Sequence, residues 1–257
     1  MKDRVIVITG ASAGIGAATA REVARRGARV VLAARRAPEL EMLAAELGAD
    51  RTLVVPTDVT RRADNETLRD RAIERFGQID VWVANAGRGI SRLVSQLTDE
   101  DIDQMMQVNL KSLLYGIQAV LPHLRERKRG QIVAVSSGLS RFPFAPQRSA
   151  YSASKAAVNL LMASLRVELY QQYPDIHCTT VMPGVVATDF GGNALHGGVD
   201  SRQLPNPQPV AEVATVIADA IAKPRAEVYT RAQMLELAAR YFSADDVTEI
   251  EKAMTRR

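Results

Sequence analysis

The sequence has few of the residues that mark several large classes of protein. It contains one cysteine, Cys178, three histidines and one tryptophan among 257 residues. A single cysteine excludes an internal disulfide framework, and no group of residues resembles a metal-binding cluster. No apolar run approaches the length of a membrane span, and the apolar stretch after Arg4 is too short for a secretory signal. We therefore expect a cytoplasmic protein that holds no metal.

The chain also lacks a strong excess of charge. Its formal net charge is +4 at pH 7. One basic cluster, Arg125, Arg127, Lys128 and Arg129, follows a helical pattern, and cations at a helix C-terminus complement the helix dipole. No aromatic side chains interleave with this cluster, as they would in a surface that binds single-stranded nucleic acid. We expect neither nucleic acid nor a membrane as a partner.

Apolar strand-like runs alternate with helical patterns along most of the chain. Helical patterns separate the strands, and such alternation predicts an α/β fold, a doubly wound parallel sheet with helices on both faces. The predicted strands are Val5–Thr9, Arg29–Ala34, Thr52–Val55, Val81–Ala84, Gln131–Val135, His177–Met182 and Glu227–Tyr229. The predicted helices are Gly14–Arg26, Pro38–Leu47, Asn65–Phe76, Gln107–Leu124, Tyr151–Tyr170 and Val210–Ala222.

One long stretch, Asp189–Pro209, has several glycines and prolines and no hydrophobic period. A connection of this length in a compact domain is usually a functional lid or a disordered segment. No linker or internal repeat divides the rest of the chain. We therefore predict a single domain over residues 1–257, with a substrate lid at about 189–209.

A glycine-rich turn follows the first predicted strand. Gly10, Gly14 and Gly16 are spaced Gly-x-x-x-Gly-x-Gly and lead into a helix. Strand, glycine turn and helix point free backbone N–H groups at a phosphate and let the chain approach a pyrophosphate closely. The spacing differs from the commoner Gly-x-Gly-x-x-Gly of dinucleotide-binding proteins. A turn without any ligand is the alternative interpretation.

A tyrosine and a lysine stand four positions apart at Tyr151 and Lys155. On a helix they share one face, about 6 Å apart along the axis. A free phenol titrates near ~10, and a nearby opposite charge lowers a pKa by about 1 to 3. The lysine would thus bring the tyrosine toward the range of efficient acid–base catalysis. Alone the pair would fit an amphipathic helix with a solvated lysine; with the glycine turn it predicts a dinucleotide-dependent enzyme.

Together these motifs resemble the short-chain dehydrogenase/reductase family, in its single-domain form of roughly this length. The order of the matches along the chain makes chance resemblance improbable. The cofactor segment that the resemblance implies comprises Gly10, Ser12, Gly14, Ile15, Gly16, Asp58, Val59, Asn85, Ala86 and Gly87. It also implies cofactor contacts from Tyr151, Lys155, Pro183, Gly184, Val186 and Thr188.

The resemblance implies a catalytic set of Asn109, Ser137, Tyr151 and Lys155. Ser137 would bind the substrate oxygen, Tyr151 would act as general acid or base, and Lys155 would lower the pKa of Tyr151. The family's commonest spacing would place the serine at Gly138, so this chain has one extra residue before Tyr151. Ser136 is a second candidate, but neighbours on a strand face opposite sides. Asn109 is either a satisfied buried amide or part of a proton relay through water to Lys155.

The second strand indicates which dinucleotide is bound. It ends at Ala34 and is followed by Arg35 and Arg36, with no carboxylate at this place. A carboxylate would bind the ribose hydroxyls of NAD, whereas guanidinium groups bind a 2′-phosphate. We therefore predict NADP(H), held chiefly by Arg35. Position 13 is alanine, so the glycine turn adds no basic residue.

The substrate is predicted to be a moderately apolar carbonyl compound or alcohol. Leu139 and Phe144, together with Phe142, Pro143 and Pro146, lie between the serine and the tyrosine, and Ile90 and Leu93 could form the opposite wall. Arg141 and Arg148 would pair with a substrate anion or stay solvated, and His196 would touch substrate or lie in solvent.

Two further interpretations concern assembly and activity. The helices Gln107–Leu124 and Tyr151–Tyr170 carry apolar residues beyond one face, such as Leu114 and Leu160. Such helices bury a second surface, so we predict a homotetramer or homodimer. A dinucleotide-binding sensor or scaffold without turnover is the alternative to an enzyme, but the serine, tyrosine and lysine are all present.

Overall fold

The structure, a computed structural model, describes residues 1–255 as a doubly wound α/β domain. Seven parallel strands lie in the order β3-β2-β1-β4-β5-β6-β7. The strands are β1 Val5–Thr9, β2 Arg29–Ala34, β3 Thr52–Pro56, β4 Val81–Ala84, β5 Gly130–Val135, β6 Ile176–Met182 and β7 Glu227–Tyr229. The predicted fold class is confirmed. The first and last residues of each predicted strand lie within one residue of those of an observed strand.

Helices cover both faces of this sheet because the strands are apolar on both sides. In β1, Ile6 and Ile8 pack on one face and Val5 and Val7 on the other, and all four are fully buried. Parallel strands buried on both faces read as continuous apolar runs. The helices are α1 Gly14–Arg25, α2 Ala37–Leu47, α3 Arg62–Phe76, α4 Asp99–Met106, α5 Ser112–Arg127, α6 Ser149–Leu169, α7 Val210–Ala222, α8 Ala232–Phe242 and α9 Thr248–Thr255.

Three helices were not predicted. Helix α4 begins with a capping box, in which the side chains of Thr98 and Asp101 each accept a hydrogen bond from the backbone N–H of the other residue. Helices α8 and α9 follow the last strand. The predicted helix Gln107–Leu124 begins as a π-helical turn, Gln107–Lys111, and continues as α5. No helix of residues 1–255 has the length and apolar character needed to cross a bilayer.

The long irregular segment Asp189–Pro209 contains turns and one short 3₁₀-helix, Ser201–Gln203. It lies against the segment that follows β4, where the Leu195 amide donates to the Gly89 carbonyl at 2.8 Å. The Ser91 amide in turn donates to the Leu195 carbonyl at 2.9 Å. This segment, called the lid below, therefore covers the carboxyl edge of the sheet.

Candidate active site

Ser137 and Tyr151 meet at the carboxyl end of β5. Ser137 follows this strand, and Tyr151 lies in the first turn of α6. The Ser137 hydroxyl lies beside the Tyr151 phenol and acts to lower the pKa of that phenol, and it accepts a hydrogen bond from the Leu139 amide at 3.2 Å. Ser136 points the other way, donating to the Lys155 carbonyl at 3.2 Å. Of the two serines, Ser137 is thus the one beside the tyrosine.

The Lys155 side chain is almost fully buried beneath the tyrosine. Its Nζ lies 5.9 Å from the centre of the Tyr151 ring and donates to the Val135 carbonyl at 2.8 Å. Burial lowers the pKa of Lys155 to about 8, because an ammonium is costly to remove from water. At neutral pH this lysine still carries its charge.

The phenol of Tyr151 differs from the sequence-based expectation. Burial raises the pKa of Tyr151 to about 12, while the Ser137 hydroxyl and the charge of Arg148 act in the opposite direction. We predicted a net fall in this pKa, and for the structure described here that direction is wrong. The Phe190 ring of the lid packs 5.5 Å from the Tyr151 ring, so desolvation outweighs the nearby charges.

Asn109 lies in the π-helical turn and joins three parts of the site. Its Oδ1 accepts from the Arg88 amide at 2.9 Å, and its Nδ2 donates to the Arg88 carbonyl and to Ser154 Oγ, both at 3.0 Å. A Cβ on Gly87 would lie 3.1 Å from Asn109 Oδ1 and 3.4 Å from Lys155 Nζ. Asn109 and Lys155 therefore meet around Gly87, and the amide is fully hydrogen-bonded.

The glycine turn between β1 and α1 is tightly closed. Gly10 and Gly14 have positive φ angles of 68° and 52°, which a residue with a side chain rarely adopts. A Cβ on Gly16 would lie 2.3 Å from the Gly10 carbonyl oxygen. Asn85 fixes this turn to the end of β4, since its Nδ2 donates to the Thr9 carbonyl at 2.9 Å. The turn lies between β1 and β4, where the order of strands reverses.

Other predicted cofactor residues surround this turn. Arg36 Nη2 donates to Ser12 Oγ at 3.0 Å, and Arg36 Nη1 lies 3.1 Å from Glu39. Arg35 is exposed beside Arg36. The positive charge of Arg35 is one of the influences that lower the pKa of Asp58. On the other side, a Cβ on Gly14 would lie 3.3 Å from Thr188 Cγ2. The end of β2 and the segment after β6 thus border one cradle, which two exposed guanidinium groups flank.

The predicted substrate residues are only partly brought together. Ile90, Leu139 and Phe190 pack with Tyr151 in one apolar cluster. Phe144 lies at the surface with 42% of its area exposed, outside this cluster. Leu93, Pro143 and Pro146 line a separate surface groove, and Phe142 packs against Tyr241.

Sequence reasoning missed two residues near Ser137 and Tyr151. Phe190 covers Tyr151, and Met234 from α8 fills the space beside Gly138. A Cβ on Gly138 would lie 1.9 Å from Met234 Cε. Phe190 directly follows Thr188 and Asp189 in the sequence, and this aromatic residue could have been used to predict the contact between the lid and Tyr151. No local pattern places Met234, because helix α8 reaches the site only through the path of the chain after β7.

The charged side chains left open by the sequence now have defined partners. Arg141 pairs with Glu227. His196 Nε2 lies 2.6 Å from Asp101 Oδ1, so this exposed histidine ties the lid to α4. Arg148 donates from Nη1 to the Ile90 carbonyl at 3.0 Å.

Comparisons with known proteins agree with this geometry. The family model described as short chain dehydrogenase matches residues 4–197. An uncharacterized oxidoreductase of Listeria monocytogenes is 42% identical over 194 residues, which cover 74% of this chain and 77% of the relative. Among solved structures, a short chain dehydrogenase/reductase from Burkholderia phymatum in complex with NAD superposes with a TM-score of 0.87 at 25% identity, covering 97% of this chain and 95% of the other. An alcohol dehydrogenase from Thermococcus sibiricus complexed with 5-hydroxy-NADP gives a TM-score of 0.78 at 30% identity, covering 89% and 96%.

Proposed function

Because the chain belongs to the short-chain dehydrogenase/reductase family of oxidoreductases, we propose that it uses NADP(H) to interconvert a carbonyl group and a secondary alcohol. The substrate is a moderately apolar small molecule. The observation that carries this proposal is the cluster of Ser137, Tyr151 and Lys155 beside the glycine cradle at one edge of the sheet. Relatives bind NAD or a derivative of NADP, which supports a nicotinamide dinucleotide in general.

The residues of the cradle fit a dinucleotide. The positive φ angles at Gly10 and Gly14 bring backbone N–H groups to the start of α1, where an anion is stabilised. When bound, the dinucleotide would supply or take up the hydride. The proposed contacts are Gly10, Ser12, Gly14, Ile15, Gly16, Arg35, Arg36, Asp58, Val59, Asn85, Ala86, Gly87, Tyr151, Lys155, Pro183, Gly184, Val186 and Thr188.

Ser137, Tyr151 and Lys155 each have a separate role in the proposed proton transfer. Ser137 donates a hydrogen bond to the substrate oxygen and holds it against the phenol. Tyr151 carries its proton at neutral pH, since its pKa is raised to about 12, and it delivers this proton to the oxygen as negative charge develops there. Lys155 then stabilises the phenolate with its buried ammonium. The raised pKa suits the neutral acid needed for carbonyl reduction.

We also propose that Asn109 takes part in proton resupply. Its side-chain amide is already hydrogen-bonded, so its contribution is to hold the Arg88 backbone and Ser154 in place near Lys155. A small cavity of about 10 Å³ lies against Asn109, Ser112 and Lys155. A water needs roughly this volume and polar partners. A proton relay through one water to Lys155 is thus sterically possible.

The preference for NADP(H) should depend on Arg35. Arg36 is engaged by Ser12 and Glu39, whereas no carboxylate of residues 1–255 forms an ion pair with Arg35. We expect Arg35→Asp to lower kcat/KM for NADPH about 100-fold, because a charge-assisted contact is lost and a repulsive charge is added. Kinetics with NADPH and NADH measure this, and Arg71→Asp on the surface of α3 is the matched control. A wild-type enzyme equally efficient with both dinucleotides would contradict the assignment.

The apolar character of the pocket is tested with ketones of increasing chain length. The cluster of Ile90, Leu139 and Phe190 beside Tyr151 buries apolar area of the substrate, worth about 25 cal/mol per Å². We expect kcat/KM to rise with each added methylene, followed by the change in NADPH absorbance at 340 nm. Best turnover of polyols, or no dependence on chain length, would refute this substrate class; no turnover of any carbonyl or alcohol would favour a sensor.

The homotetramer or homodimer also stays a proposal. Leu113, Ile117 and Leu165 are buried within the chain, but Leu160 and Val167 on α6 and Tyr170 directly after it have 71%, 78% and 79% of their area exposed. This apolar face of α6 supports self-association. Light scattering at micromolar concentration distinguishes an oligomer from a monomer.

A further inference from the structure

One arginine near the catalytic tyrosine has no acidic partner. Arg148 stands three residues before Tyr151 and is half-buried. No carboxylate of residues 1–255 forms an ion pair with its guanidinium, and its described hydrogen bond is to the Ile90 carbonyl. Burial lowers the pKa of Arg148, as expected for a cation removed from water without an opposite charge. Arg148 is thus a half-buried cation that no carboxylate of the described residues neutralises.

Two glycines make room for this guanidinium. A Cβ on Gly89 would lie 3.1 Å from Arg148 Nη1, and a Cβ on Gly198 would lie 2.9 Å from Nη2. Gly89 follows β4 and Gly198 belongs to the lid, so the guanidinium lies between these two segments. Any larger side chain at either position would displace it.

Gly89 also shows that the Arg148 guanidinium lies near Tyr151. A Cβ on Gly89 would also lie 3.0 Å from Phe190 Cε1, and the Phe190 ring packs on the Tyr151 ring at 5.5 Å. Arg148, Phe190 and Tyr151 are therefore neighbours. The charge of Arg148 is one of those that act on the Tyr151 phenol.

Two other arginines near the pocket are paired with carboxylates. Arg141 pairs with Glu227, and Arg92 Nη1 lies 2.8 Å from Asp101 Oδ2. Arg148 keeps its Nη2 and Nε donors for another acceptor. A guanidinium matches the two oxygens of a carboxylate. We propose that Arg148 determines specificity by binding a carboxylate of the substrate, which makes the substrate class oxo acids and the corresponding hydroxy acids with an apolar chain.

This proposal rests on the proposed function but is tested first by binding, without turnover. The probes are hexanoate and hexanamide, titrated calorimetrically into the enzyme saturated with NADP⁺. We expect the carboxylate to bind about 10- to 100-fold more tightly than the amide, as for a charge-assisted contact. Arg148→Gln should abolish this preference, Arg148→Lys should keep part of it, and Arg141→Gln should retain it fully. Equal affinity for the two probes in the wild-type enzyme, or the same preference in Arg148→Gln, would overturn the proposal.

Turnover gives the second measurement. The substrates are aliphatic 2-, 3- and 4-oxo acids and their methyl esters, with NADPH. For the preferred acid, Arg148→Gln should raise KM about 10- to 100-fold and leave kinetics with the ester nearly unchanged. An equal loss for acid and ester would show that Arg148 only positions the segment around Ile90, and would reject the specificity role. If the acids bind but none is reduced, the proposed oxidoreduction fails while the carboxylate site stands.

Discussion

Tyr151→Phe is expected to lower kcat by about 10³- to 10⁴-fold, at the upper end of what a general acid contributes. The phenol is the group that Ser137 contacts, and the neighbouring lysine is buried beneath the ring with its proton directed at the Val135 carbonyl. No other described side chain stands ready to deliver the proton. Turnover of the best ketone with NADPH, followed at 340 nm, measures the loss.

The substitution should leave the fold and the cradle intact, because Phe fills the same space beside Phe190. Binding of NADPH, measured by its fluorescence, should change little. Tyr115→Phe is the matched control, since the Tyr115 ring stacks under Arg62 at 4.6 Å on the surface of α5. We expect this control to keep its activity within about 2-fold, as for most surface changes. A Tyr151→Phe enzyme with a tenth or more of the wild-type kcat would remove the phenol from its proposed role.

Lys155→Met is expected to abolish activity and yet stabilise the fold near neutral pH. The pKa of Lys155 falls from 10.5 to about 8 on folding. This fall corresponds to a loss of roughly 3 kcal/mol in the free energy of unfolding. This cost is present in full below the folded pKa of about 8 and disappears as pH rises to 10.5. Methionine has a similar length and no charge to desolvate. Loss of the hydrogen bond to Val135 reduces the net gain, by about 1 kcal/mol.

Urea unfolding of both proteins at pH 7, 8.5 and 10 provides the test. The variant should be the more stable protein at pH 7, and the difference should shrink as the pH increases. Measurements stop at pH 10, because the raised pKa of Tyr151, about 12, makes the wild type lose stability between pH 10 and 12. A stability difference that does not depend on pH would show that the lysine is not desolvated in the folded chain.

The elements of the sheet could be predicted because each strand is a short apolar run between turn residues. The same holds for the glycine turn, whose spacing requires positive φ angles. Helix α4 was missed because it is one short, mostly polar segment. That Ser137 would lie beside Tyr151 was expected from the resemblance to the family, with Ser137 preferred to Ser136 because neighbours on a strand face opposite sides.

Features that depend on packing between distant segments could not be predicted. The pKa of Tyr151 was expected to fall because Lys155 is near in sequence, but the lid covers the phenol with Phe190. The sequence likewise left Arg141 and Arg148 equivalent. Only the tertiary structure shows that Glu227 neutralises the first and that the second lies between Gly89 and Gly198.

The position of Met234 beside Gly138 has a consequence for how this enzyme could change its substrate. Met234 lies outside residues 4–197, the part that matches the family model, whereas Ser137, Tyr151 and Lys155 all lie inside it. The side chain that borders the serine segment is therefore supplied by a part of the chain separate from the part that carries Ser137, Tyr151 and Lys155. A library of substitutions at Met234 would change the surroundings of Ser137 without replacing any of these three residues.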